Sequence, residues 1–100
     1  MSTEAFAFRS PLDLAAIRAR LVAEGSAVWR GGDNDYWGAY LVARLREGTR
    51  LRLFVDGDRF VVEISAATDA EHLSLARELV HDKLLPCLGA HEVQPHDGWE

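Results

Sequence analysis

Between residues 26 and 65 the chain alternates apolar and polar side chains with a period of two through four successive segments, 26–31, 36–46, 50–55 and 59–65. Period two sends successive side chains to opposite faces of an extended strand, so this stretch predicts four consecutive strands. The residues between them are turn formers: Gly32-Asp33-Asn34-Asp35, Glu47-Gly48-Thr49 and Asp56-Gly57. Glycine supplies positive φ, while Asp and Asn bond their own backbone, and short loops of this kind join antiparallel neighbours. A two-residue loop at Asp56-Gly57 sets Leu53 opposite Phe60 and Leu51 opposite Val62. A three-residue loop at Glu47-Gly48-Thr49 sets Leu45 against Leu51 and Ala43 against Leu53, whereas a two-residue loop would bring Leu45 beside Arg50 on the wrong face. The expectation is a four-stranded antiparallel meander with Trp29, Trp37, Leu41, Leu53 and Phe60 on its core side.

Such a face needs a cover, and the flanking sequence supplies two helices. Ser10-Pro11 reads as N-cap and first helical position, Asp13 suits the positive end of the dipole, and Leu14, Ile17 and Leu21 recur at helical spacing until Gly25. This predicts a helix over 11–24. Thr68 and Glu71 form a capping box ahead of Leu75, Ala76, Leu79, Val80 and Leu84, in a second helix expected to end before Pro86. The fold class is therefore α+β, a two-layer sandwich of order α-β-β-β-β-α with both helices on one sheet face. Residues 88–93 are a candidate short C-terminal strand. At 100 residues and 48% hydrophobic content, one core is the natural size. A single domain over 1–100 is expected, with 1–9 an N-terminal arm and 87–100 an irregular tail in which Trp99 has a docking surface to find.

Composition removes several function classes. No apolar run reaches the roughly 18–20 residues of a membrane span, and the first residues lack the charge and apolar stretch of a signal peptide. The single cysteine, Cys87, allows no intramolecular disulfide and fits a reducing compartment, so the expected location is cytoplasmic. A net charge of −5, from sixteen acids against eleven bases, repels phosphate polymers and anionic bilayers. Nucleic acid is thus disfavoured, although bases could stack on aromatics of a basic sheet face, and no membrane partner is expected.

Strand parity exposes a pattern that composition hides. If odd positions of the second strand face the core, Arg44, Arg46, Arg50, Arg52 and Arg59 emerge together on the opposite face with Tyr36, Tyr40, Val42, Phe54 and Val61, joined by Arg30 from the first strand. Glu63, expected opposite Arg50, is the one central acid. A solvated face would pair these arginines with Glu63 and loop acids; a binding face would leave them open. The turns gather a second candidate surface, Asp33 and Asp35 with Asp56 and Asp58. Asp-x-Asp suggests calcium ligation, but the twelve-residue loop pattern is absent, so these acids close turns or meet a basic partner. His72, His81, His91 and His96 have no metal-ligand spacing. Cys87 sits at the unfavourable end of a helix dipole for a thiolate, and no serine lies in a Gly-x-Ser-x-Gly elbow. No catalytic residue, metal or cofactor is expected.

These readings point to a non-catalytic protein-binding module. By analogy of size and charge alone, such a module is of the kind used as bacterial immunity proteins, which inhibit toxins, or as chaperones of secreted effectors. The partner would be a heterologous protein, and the expected contact residues are Arg44, Arg46, Arg50, Arg52, Tyr36, Tyr40, Phe54, Asp33, Asp35, Asp56 and Asp58. The alternative is a homodimer whose arginine and aromatic sheet faces enclose a pocket, in a ligand-binding or small enzymatic α+β domain.

Overall fold

The computed structural model describes residues 2–34, 38–45, 48–66 and 70–96. It is an α+β fold built on one antiparallel sheet of six strands. In chain order the elements are β1 (Ser2–Arg9), α1 (Leu14–Glu24), β2 (Val28–Asn34), β3 (Gly38–Arg44), β4 (Thr49–Asp56), β5 (Arg59–Ala66), α2 (Ala70–Leu79) and β6 (His91–His96). Spatially the order is β2-β3-β4-β5-β1-β6. The four expected strands are consecutive neighbours, but they occupy only part of the sheet.

The two additions correct the sequence reading. Residues 2–9, expected as an arm, form an inner strand that pairs with β5 on one side and β6 on the other. Ala5 and Ala7 are buried on one face of β1 while Phe8 is buried, and Phe6 half-buried, on the other, which is the two-sided burial of an inner strand. The tail expected to be irregular over 87–100 contains β6, placed three residues later than the candidate strand at 88–93. Pairing with β1 holds it in place despite Pro95, which an edge strand tolerates. Residues 97–100, and Trp99 with them, lie outside the described residues.

Both expected hairpin loops move by one residue. Leu45 N–H donates to the Thr49 carbonyl at 2.8 Å, so pairing extends to Leu45 opposite Thr49 and leaves a three-residue connection. Its last position is Gly48 at φ +76°, where a three-residue hairpin requires a left-handed residue. Likewise Asp56 pairs with Arg59 across Gly57-Asp58, with Gly57 at φ +65° as the first loop residue. Each change slides the register by two, giving Ala43 opposite Leu51 and Leu53 opposite Val62. A slip of two preserves parity, so the described side chains of these strands keep their expected faces; Trp37 lies outside the described residues. In β2 the pairing continues through Asn34 to Gly38, which makes Gly32, Asp33 and Asn34 strand rather than turn.

Helix boundaries shift for equally local reasons. Ser10 is occupied elsewhere: its hydroxyl donates to the Leu88 carbonyl at 2.7 Å and accepts from Leu12 N–H. Asp13 is the actual N-cap, accepting from Ala16 N–H at 2.8 Å, and Gly25 ends the helix with its N–H on Leu21. The second helix does not stop before Pro86. α2 passes into a π-helical turn, Val80–Leu84, and a last turn Leu85–Cys87 that carries Pro86, so the regular i→i−4 ladder is already interrupted just before the residue that cannot donate to it. Of the expected capping box, Thr68 and the side chain of Glu71 lie outside the described residues, and Leu75 is exposed rather than on the apolar face. Ile17 and Leu21 of α1, Leu73 and Ala76 of α2, and Val80 and Leu84 of the π turn close over Trp29, Leu41, Leu51, Leu53 and Ile64. Among the described residues no helix is long and apolar enough to cross a membrane.

Candidate functional site

The second sheet face carries the candidate residues in rows fixed by the register. One row runs Arg30, Val42, Arg52, Glu63 and Ala5 across β2, β3, β4, β5 and β1; the next runs Val28, Arg44, Arg50 and Ser65. A groove of about 480 Å³ is lined by Val28, Arg30, Tyr40, Val42, Arg44, Arg50 and Arg52. A second hollow of about 470 Å³ continues from it past Leu45, Gly48, Thr49 and Ser65, sharing Arg44 and Arg50. The site is thus a trough between the free edge strand β2 and the β4–β5 pair, floored by valines and walled by guanidinium groups.

Its charges divide into two kinds. Arg52 ion-pairs with Glu63, whose side chain is 7% exposed against 20% for the arginine. The register change explains this, since it brings Arg52 rather than Arg50 opposite Glu63. Arg30, Arg44 and Arg50 have no carboxylate partner among the described residues. Arg44 and Arg50 are moreover direct cross-strand neighbours, a like-charge placement that opposes sheet formation unless an anion lies between them. The groove therefore presents a fixed excess of positive charge in a protein whose net charge is negative.

The face is not uniformly wet. Phe54 and Val61 are fully buried and cluster with Ala5, Ala7 and Tyr40. Phe54, expected to touch a partner, is therefore part of a small second core, and among the described residues the half-buried Tyr40 is the aromatic side chain lining the groove. Arg46, Tyr36 and Asp35 lie outside the described residues, as does the side chain of Asp33. Of the acidic-loop residues, the two whose side chains are described have internal partners. Asp58 pairs with Arg9 at 2.9 Å, and Asp56 contacts His96 at 3.2 Å and Arg59 at 3.5 Å.

Elsewhere the titratable groups serve architecture. Two hydrogen bonds at 2.6 Å join Arg77 of α2 to Glu4 of β1, and they raise the arginine pKa. The Glu24 carboxylate accepts from the Ser26 hydroxyl and, at 2.9 Å, from Ser26 N–H; the hydroxyl contributes most to holding its pKa below the ordinary 4.5. Cys87 stands against the Arg20 carbonyl. His81 meets Phe6 edge-on at a centroid distance of 4.6 Å. No group of three or more His, Cys, Asp or Glu among the described residues could hold a metal ion.

Sequence reasoning underused three residues of this site. Val28 and Ser65 line the trough and were readable from parity. Gly32 was read as a turn residue, yet it lies in β2 beneath the Tyr40 ring, with room for no side chain. No protein-family model matches the chain, and comparison with curated proteins finds no match.

Proposed function

We propose that this chain is a non-catalytic protein-binding module that receives an acidic surface of a heterologous protein in the trough between β2 and β4. A toxin inhibitor or a chaperone of a secreted effector would act through such a contact. The observation that carries the reading is the set of Arg30, Arg44 and Arg50, which line a common groove without a carboxylate partner among the described residues. Arginine and tyrosine are the side chains most often found as interface anchors, because a planar guanidinium forks onto a carboxylate and an aromatic ring adds area at low entropic cost. Burial of Phe54 and internal pairing of Asp56 and Asp58 turn the contact toward the arginines and away from the acidic loops. Homodimerisation through the same face is opposed by charge, since two copies would bring two sets of unpaired arginines together.

The test is affinity capture from the native cytoplasm with the wild type and an Arg30→Glu/Arg44→Glu/Arg50→Glu variant of confirmed fold. The expected result is one stoichiometric protein, held by the wild type, released by salt and absent from the variant. Capture that survives the substitutions, or nucleic acid in place of protein, would overturn the proposal.

A further inference from the structure

The two edges of the sheet are built differently. At one edge, β6 carries Pro95, its pairing with β1 shifts register between Ala7 and Arg9, and Glu92 sits at φ +52°. A proline and an irregular register are the usual means by which an edge is made unfit for further pairing. At the other edge, β2 pairs with β3 in unbroken register over seven residues, Val28 to Asn34, and contains no proline and no bulge. Among the described residues nothing pairs with its outer side. An unblunted edge is a template for one more strand.

The surroundings of β2 select the chemistry of that strand. On the trough face Arg30 projects from β2 itself, and the small, 79% exposed Val28 leaves Arg44 within reach from outside the sheet. On the helix-covered face the Arg18 guanidinium stands against Gly31, 3.1 Å from where a Cβ would be. Like Arg30 and Arg44, Arg18 has no carboxylate partner among the described residues. Both faces of the open edge are therefore framed by cations. Gly31 and Gly32 keep the backbone low between Arg18 and the Tyr40 ring, so that an incoming chain meets main chain flanked by these groups.

From these observations we infer that β2 accepts an extended acidic segment of a partner protein as a seventh strand, with its carboxylates against Arg30 and Arg44 on one face and Arg18 on the other. The inference rests on the proposed acidic partner and adds the mode of binding. Main-chain hydrogen bonds supply an interaction indifferent to sequence, and the arginines supply the preference for acids.

The probe is the eight-residue peptide acetyl-(Glu-Thr)4-amide at low salt, whose glutamates share one face of an extended strand and so test the Arg30 and Arg44 side, with two relatives that are N-methylated on every Glu or on every Thr. Methylation keeps the charge but removes alternate N–H donors, and in a strand alternate donors face opposite edges. The parent peptide is expected to slow amide exchange in residues 28–34. One methylated form should bind like the parent, and the other at least about tenfold more weakly. Equal affinities for the two methylated forms, or protection along β6 instead, would overturn strand addition. If Arg30→Glu/Arg44→Glu still abolishes binding in that case, the acidic-partner reading stands without it. A parent peptide that neither binds nor protects any amide removes both proposals. Protection of β2 in a dimer of the chain alone, with no peptide present, would overturn the inference in favour of self-pairing.

Discussion

Arg44→Glu is expected to make the free protein more stable while removing a cation from the proposed binding surface. Arg44 and Arg50 are directly opposed across β3 and β4, on a face where neither has a carboxylate partner among the described residues. Directly opposed like charges in a sheet cost roughly 0.2–1 kcal/mol, and opposed unlike charges gain a similar amount. Replacing Arg44 by Glu exchanges the one for the other. Because both side chains are exposed and screened, the swing should be about 1 kcal/mol, of which Arg44→Gln should recover about half. In a chain of 100 residues, 1 kcal/mol corresponds to a rise in Tm of about 4–8 °C. Thermal and urea unfolding of wild type, Arg44→Gln and Arg44→Glu should rank in that order at 10 mM salt. The spacing should contract at 1 M, where the screening length falls to about 3 Å. An Arg44→Glu variant no more stable than Arg44→Gln at low salt, or a gap unchanged by salt, would refute the claim that these arginines repel one another.

Other outcomes follow from the same geometry. Glu63→Ala deprives the largely buried Arg52 of its carboxylate and should cost about 2–3 kcal/mol in urea unfolding, whereas the double variant Arg52→Met/Glu63→Leu should cost less than either single change. If the double variant is the worst, the pair is not the unit of stability. Gly32→Ala would place a Cβ 2.5 Å from the Tyr40 ring, so it should displace the ring and lower stability by about 1–3 kcal/mol, visible in near-ultraviolet circular dichroism. An unperturbed aromatic spectrum would argue against that contact. Glu24 has a depressed pKa, so its contribution is complete above the ordinary value of 4.5 and is lost as pH falls through the lower folded value. Glu24→Gln should therefore be less stable than wild type at neutral pH and converge with it in acid. A gap that stays constant across that range would contradict the Ser26 clamp.

The sheet's faces were legible in the sequence because alternation has a period of two, and even a wrong loop assignment preserved them. Gly48 and Gly57 each moved the true loop by one residue, which slid both hairpins by two and left Arg44, Arg50 and Arg52 on the face where parity had put them. Position along the strand was not legible to the same degree. That error exchanged Arg50 for Arg52 as the partner of Glu63, and so obscured which arginines remain open. β1 was missed because a strand buried on both faces lacks polar alternation, and its signal was instead size: Ala5 and Ala7 on one side, Phe6 and Phe8 on the other. With β1 absent from the reading, Phe54 looked exposed, although in the fold it is buried in a cluster that Ala5 and Ala7 complete. The trough itself depends on which side chains find partners, and that is not written in the spacing of residues.

Scarcity of acids does not explain the open arginines. The chain has sixteen carboxylate side chains for eleven bases, and where β1, β5 and α2 carry Arg9, Arg59 and Arg77, each has a carboxylate within an ion-pair distance. Arg9 has two, Asp58 and Glu92. Among the described residues, Arg30, Arg44 and Arg50 along the trough and Arg18 on the other side of the same edge strand have no carboxylate within that distance; Arg20, which reaches the Cys87 carbonyl, and Lys83 also have none, but they stand apart from the trough. A surface shaped only for solubility would be expected to intersperse its charges, as this chain does at Arg9, Arg59 and Arg77. Concentrating unpaired cations where they repel one another lowers the stability of the free protein, and the repulsion is relieved when a carboxylate enters between them. Affinity for an acidic partner should consequently weaken with salt more steeply than the net charge of −5 suggests, because the local field of the trough, not the mean field of the molecule, governs the contact.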